Sequence, residues 1–102
     1  MNTLKSIYQS ALVGAVMLLG ACSGESVDGA ALAVEKGCIA CHGQDGKAIA
    51  DIYPNLNGQW ERYLRLQLQA YRSEKRVNAV MYGMAKDLTD EEIRILAAHY
   101  GR

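Results

Sequence analysis

Cys38, Cys41 and His42 sit within the stretch GCIACHGQDG, residues 37–46. A Cys-x-x-Cys pair can serve as a redox dithiol, as half of a zinc site, or as the attachment point of a haem. A thioredoxin-like dithiol calls for a βαβ context, and no strand pattern surrounds this pair. A structural zinc ion takes four ligands, and the chain has no second cysteine pair. The histidine directly after the second cysteine is what separates the readings. Two intervening residues set both sulfurs along one edge of a porphyrin, where each can form a thioether with a vinyl group. The adjacent imidazole can then reach the iron. The other histidine, His99, falls in the last helical segment and reads as a partly buried helix residue.

An electron-transfer haem needs a second axial ligand. Methionine sulfur is soft, suits iron, and raises the potential when paired with histidine. Met81 and Met84 are the candidates, because Met1 and Met17 belong to an N-terminal segment that reads as a leader. For a methionine taken alone, packing is the ordinary role.

These residues need elements to position them. Ala30, Ala33, Val34 and Gly37 recur at helical spacing and predict a short first helix that packs through small residues. Residues 43–58 contain Gly43, Gly46, Pro54 and Gly58 and predict a loop. In WERYLRLQLQAYR (60–72), Trp60, Tyr63, Leu64, Leu68 and Tyr71 form one stripe and predict an amphipathic central helix. SEKRVNAVMYGMAKD (73–87) lacks clear periodicity and reads as a loop with a turn of helix. Thr89 and Glu92 form a capping box, with Asp90 and Glu91 complementing the helix N-terminus. Ile93, Leu96, Ala97 and Tyr100 then make the apolar face of a last helix. The fold class is all-α: three main helices with loops long for so small a core, so something must fill the middle.

The chain has 102 residues and formal net charge zero, which bounds it to one small domain. Zero net charge without a basic run argues against nucleic acid as a partner. Three cysteines cannot all pair within one chain. The first 22 residues account for the odd one. An apolar run from Ala11 to Ala21 is too short to span a bilayer and reads as a secretory h-region. Leu19-Gly20-Ala21-Cys22 resembles the lipobox of bacterial lipoproteins. That resemblance implies cleavage before Cys22 and lipidation of its sulfur, and hence a membrane anchor. Ser23, where an aspartate would favour inner-membrane retention, favours the outer membrane. The expected organisation is a signal peptide over 1–21, a flexible tether over 22–29, and a folded domain over 30–102.

From Ala30 to Tyr100 the chain resembles the small class I bacterial cytochromes c. GCIACHGQDG is similar to their haem motif and its following turn, YPNLNGQ (53–59) to their proline loop, and MYGMAKDLTDEEIRILAAHY (81–100) to their methionine loop and terminal helix. The resemblance implies one haem c attached through Cys38 and Cys41, with His42 as proximal ligand and the Pro54 carbonyl hydrogen-bonded to its imidazole. It implies Met81 as distal ligand, seven residues before Leu88, with Met84 packing nearby. His99 stands where the family usually has an aromatic packed against the first helix. Trp60, Tyr63, Arg72, Arg76 and Asn78 are candidate donors to the haem propionates. The implied role is that of an electron carrier in the bacterial periplasm. It would run between a quinol-oxidising complex and a terminal oxidase or reductase, and make or break no substrate bonds. A haem-based ligand sensor and a dedicated subunit of a larger redox enzyme are the alternatives. Residues 60–76 carry net charge +3 and residues 87–92 net −4, an asymmetry able to steer docking.

Overall fold

The computed structural model describes residues 27–102. The expectations for the signal peptide and Cys22 lie outside these residues. Five helical segments follow in order: α1 (Gly29–Glu35), α2 (Ile39–His42), α3 (Glu61–Arg72), α4 (Ala79–Ala85) and α5 (Asp90–Tyr100). No strand occurs among the described residues. The three main helices α1, α3 and α5 are those expected. Asp28 and Gly29 belong to the fold rather than to a tether, since the Asp28 side chain accepts the Ala30 N–H and caps α1.

The last helix organises the others. Its capping box is complete: Thr89 Oγ1 accepts from Glu92 N at 3.1 Å, and Glu92 Oε1 accepts from Thr89 N at 3.0 Å. Glu92 also meets Lys36 at the end of α1, 2.9 Å away. These partners hold the Glu92 carboxyl below its ordinary range, the Thr89 N–H acting most strongly and Lys36 next. Ile93, Leu96, Ala97 and Tyr100 are all buried, and α5 packs on both α1 and α3. The α1–α5 crossing is very close. A Cβ added to Gly29 would stand 2.7 Å from the Cβ of His99. His99 therefore occupies the helix contact, and its Nε2–H donates to the Gln44 carbonyl at 2.9 Å.

Two apolar stripes differ from expectation. In α1 the buried residues are Leu32 and Ala33, while Val34 is exposed. Seven residues make barely two turns, so the helix presents only a narrow face to α5. In the central helix only Leu64 is fully buried; Leu68 and Tyr71 are half-buried, and Tyr63 is largely exposed. Trp60 is the N-cap rather than a packed residue, and it is 61% exposed. The C-terminus draws it outward: Arg102 N donates to Gln59 O, Glu61 N donates to Arg102 O, and the Arg102 guanidinium lies over the indole at 4.6 Å.

Residues 79–85 form a helix where a loop was expected. Asn78 Oδ1 accepts from Met81 N and nucleates it. The pattern is silent because this helix is apolar nearly all round. Ala85 is buried, Met81 half-buried, and Val80, Tyr82 and Met84 exposed. An amphipathic period needs a polar face, and α4 has none.

Tyr100 closes the core from the end of α5. Its hydroxyl donates to the Gly43 carbonyl at 3.0 Å. Burial, with a smaller contribution from the Cys38 sulfur, pushes its pKa from 10.0 up to about 12. The folded value lies above the unfolded one, so this contribution to stability is whole below about pH 10 and is lost as pH rises through about 12. Tyr100→Phe should flatten the fall in unfolding free energy between those two pH values. At neutral pH it should cost about 1–3 kcal/mol, because the Gly43 carbonyl loses its partner. Denaturant titrations at neutral and alkaline pH measure both effects; an alkaline slope as steep in the variant as in the wild type would assign the loss to other groups.

Candidate functional site

The short helix α2 carries the Cys-x-x-Cys-His motif. Its backbone is an extension of the turn after α1: Cys38 N donates to Ala33 O at 2.9 Å, and His42 N to Cys38 O at 3.0 Å. Gly43 ends the helix with φ +74°, and a Cβ there would collide with the Lys47 carbonyl. The chain therefore turns sharply behind His42, and the Ile49 N–H returns to the Cys41 carbonyl at 3.2 Å. Further along, Leu56 N and Asn57 N both donate to the Gly46 carbonyl, and Ala48 N donates to Asn55 Oδ1. These bonds fold residues 43–58 into a strap that brings Pro54 back to α2.

His42 is the one buried polar side chain among the described residues, at 8% exposure. Its Nδ1 lies 2.9 Å from the Pro54 carbonyl. A carbonyl can only accept, so Nδ1 carries the hydrogen and Nε2 of the neutral ring presents its lone pair. That is the tautomer a metal-binding imidazole needs, and the bond also fixes the ring plane and strengthens the donor nitrogen.

A cavity of about 430 Å³ opens beside these residues, within the roughly 300–1,000 Å³ typical of cofactor sites. Cys38, Cys41, His42 and Pro54 line it from α2 and the strap. Tyr63, Leu64, Leu68 and Tyr71 line it from α3, and Leu96, Ala97 and Tyr100 from α5. Met81 and Met84 line it from α4, one helical turn apart and so on one side of that helix. Met84 is 45% exposed, and a Cβ on Gly37 would come to 4.0 Å from its sulfur. Met81 is the more buried of the two.

Cys38 and Cys41 are free and half-buried. Burial pushes the Cys38 thiol up, an environment that disfavours a thiolate. A thioether carries no charge and suits such a wall. Among the described residues no group of three or more His, Cys, Asp or Glu side chains is arranged to hold an ion. The cavity thus combines an apolar, aromatic lining, two adjacent thiols, an oriented imidazole lone pair and a soft thioether sulfur. These are the donors and walls that a covalently attached haem requires.

The five candidate propionate donors separate. Tyr63, Arg76 and Asn78 line the cavity. Trp60 lies outside it, beside a shallow surface depression with Arg102. Arg72 is spent elsewhere, donating to the Leu88 carbonyl at 2.9 Å and to Asp90 at 2.6 Å. It staples α3 to the start of α5. The pattern of charges along the sequence could not show which arginine is drawn to a neighbouring helix. Gln59 Oε1 accepts from Trp60 N at 3.0 Å, and Gln59 also lines the cavity.

Residues 26–99 match the family model described as Cytochrome c. Over 66 residues the chain is 48% identical to the cytochrome c-554(548) of Halomonas halodenitrificans, covering 62% of this chain and 80% of that protein. It is 43% identical over 63 residues to the cytochrome c4 of Thiocapsa roseopersicina, covering 62% of this chain but only 32% of that longer protein. Among solved structures, a cytochrome c4 of Acidithiobacillus ferrooxidans superposes with a TM-score of 0.65 at 32% identity, over 71% of this chain and 45% of the other. The chain spans most of the first of these proteins and less than half of the cytochromes c4. The oriented histidine, the paired thiols and the family match agree: the chain belongs to the cytochrome c family, whose covalently attached group is haem c.

Proposed function

We propose that this protein is a lipid-anchored electron carrier of the bacterial periplasm, with His42 and Met81 as axial ligands and Cys38 and Cys41 as the thioether positions. It takes single electrons from a quinol-oxidising complex and delivers them to a terminal oxidase or reductase. The observation that carries the reading is the cavity shared by the Cys-x-x-Cys-His helix and the methionine pair of α4. Bound haem supplies a one-electron couple between ferrous and ferric iron. The chain's own residues do the rest. Pro54 holds the His42 ring and its hydrogen. The α3 and α5 walls keep water from the ligand sulfur, which favours the ferrous state. Among the described residues no Asp, Glu or second His lines the cavity, which supports a carrier over a peroxidase. A methionine within the cavity likewise supports a carrier over a ligand sensor, which needs a weak or open sixth position.

The lipid anchor rests on the Leu19–Cys22 pattern. No helix of the described residues is long and apolar enough to cross a membrane. Cys22→Ser should release the domain into the soluble periplasmic fraction or leave the precursor uncut. Detergent-phase partitioning that does not change would remove the anchor.

The choice of Met81 rests on its register before Leu88 and its greater burial. Ferric haem with a thioether ligand shows a weak long-wavelength absorption band that depends on that sulfur. Met81→Ala should abolish the band, lower the reduction potential and let carbon monoxide bind the ferrous iron. Met84→Ala should keep the band. Both comparisons use haem-loaded protein whose helices are intact by circular dichroism. The opposite pattern would exchange the two assignments.

A second reading has its own support. A protein named "Thiosulfate dehydrogenase electron acceptor" from Thiomonas intermedia is 46% identical over 66 residues, which is 30% of its length. A "Cytochrome subunit of sulfide dehydrogenase" from Chlorobaculum tepidum is 33% identical over 64 residues. On this reading the chain is the dedicated partner of a periplasmic dehydrogenase. Solubilising the native membrane in mild detergent distinguishes the two: co-purification with a dehydrogenase in fixed ratio supports the subunit, and migration alone supports the free carrier.

A further inference from the structure

The two ends of the helical frame differ in chemistry. Helices α3 and α5 run antiparallel: Arg72 reaches Asp90 at one end, and Glu61 N donates to Arg102 O at the other. Twelve residues of helix set those ends about 17 Å apart. The first end carries the acids Asp87, Asp90, Glu91 and Glu92. It also carries α4, since Arg76 N before that helix bonds to Ala70 O, and Leu88 O after it accepts from Arg72. The second end carries a shallow depression lined by Trp60, Glu61, Arg62, Tyr63, Leu66 and Arg102, in which all three large apolar side chains are exposed.

The chain enters the fold at this second end. A Cβ on Gly29 would stand 2.7 Å from the His99 Cβ, and one on Gly101 would stand 2.7 Å from the Glu61 Cα. Val27 is two residues from the first contact, so it lies by the last turn of α5, as Trp60 and Arg102 do. Cys22 is five residues before Val27, and extended chain covers at most about 3.6 Å per residue. A lipid on Cys22 therefore keeps this end within about 18 Å of the bilayer surface. We propose that the face formed by Trp60, Tyr63, Leu66 and the neighbouring arginines rests on the anionic phospholipid surface that carries the anchor, and so fixes the orientation of the domain.

The side chains suit that occupant. Indole and phenol rings settle at the headgroup level, where one part is apolar and the other wet. Leu66 stands two positions from the buried Leu64 and so points away from the core side of α3. Arg62 and Arg65, three residues apart, share one side of the helix. Arg102 lies over the indole at 4.6 Å. Each arginine can lay its stem along apolar surface and its guanidinium on a phosphate. Glu61 is the one acid of the depression, while Asp28 and Asp45 adjoin Gly29 and Gln44 on the α1 flank of α5. The four acids of the far end are repelled by the same anionic surface. A shallow face gives a protein partner no deep pocket for an anchoring side chain, whereas a fluid headgroup layer conforms to it. Acyl chains hold a protein at the surface without choosing which face meets it. This face makes the choice, and it turns α4 with Met81 and Met84 toward the aqueous phase.

The inference rests on the lipid anchor at Cys22 and adds a contact face to it. The test is hydroxyl-radical footprinting, read by mass spectrometry, of the haem-loaded lipidated protein on vesicles of phosphatidylethanolamine and phosphatidylglycerol. Soluble Cys22→Ser protein is the free reference, and the exposed Tyr82 of α4 is the internal one. Relative to Tyr82, oxidation of Trp60 and Leu66 should fall severalfold on the vesicles. The double variant Arg62→Gln, Arg65→Gln should restore most of it, as should raised salt, which screens the headgroup charge. If that variant does not accumulate, the salt series on the wild type decides. Full Trp60 oxidation on vesicles, with the lipid on Cys22 confirmed by mass, would overturn the inference and leave the anchor standing. Protection that neither salt nor the double variant changes would trace it to tether length alone, and protection of Tyr82 in place of Trp60 would put α4 on the lipid; either overturns it. Trp60 shielded in the Cys22→Ser protein without vesicles, more so at higher protein concentration, would assign the face to a second copy. A Cys22 without lipid would remove the anchor and this inference with it.

Discussion

The hydrogen bond from His42 to the Pro54 carbonyl is where the local and the long-range parts of this structure meet. It joins a four-residue helix to a strap that has no regular structure of its own. Without it the imidazole could turn, take its other tautomer and present a hydrogen where a lone pair is needed. The strap in turn depends on backbone bonds to Gly46 and Cys41, and on the close turn at Gly43. Proline suits the accepting position because it fixes its own φ while its carbonyl stays free. One contact of 2.9 Å thus ties the chemistry of the site to the course of sixteen residues of chain.

The helices accept a cost for this arrangement. Ile93 and Leu96 are the largest side chains buried almost completely among the described residues, and the rest of the core is small or only partly covered. Domains of this size hold little stability from apolar burial alone. Leu64, Leu96, Ala97 and Tyr100 face both the core and the cavity. A haem placed there extends the same apolar cluster, so cofactor binding and folding draw on the same surfaces. The capping box of α5 and the Lys36–Glu92 contact fix the frame at its other end, where the solvent-exposed bonds each add modestly.

Charge follows a similar division. Most ionised side chains of α3 and α5 are engaged with one another or with solvent, as Arg72 is with Asp90 and Arg94 with Glu91. Among the described residues one cation, Arg76, lines the cavity; it is exposed and is held by the Tyr71 ring and the Gln67 amide. The basic and acidic segments along the sequence therefore serve different ends: staples between helices and a field at the surface.

The sequence by itself determined the chemistry and the frame. Cys38, Cys41 and His42 were legible because covalent and coordinate bonds demand fixed spacing. Thr89 with Glu92 and the stripe Ile93, Leu96, Ala97 and Tyr100 were legible because a cap and an amphipathic face are local patterns. Only the tertiary structure decided the rest. The helix at residues 79–85 was hidden because its outward face is as apolar as its inward one. Trp60 left the expected stripe because the C-terminal Arg102, remote in sequence, stacks on it. Arg72 and Arg76, four residues apart, were indistinguishable as letters. A left-handed turn at Glu74 carries the second back over Tyr71, exposed at the cavity wall, while α5 captures the first. Such outcomes depend on which distant partner arrives, and spacing along a chain holds no record of that.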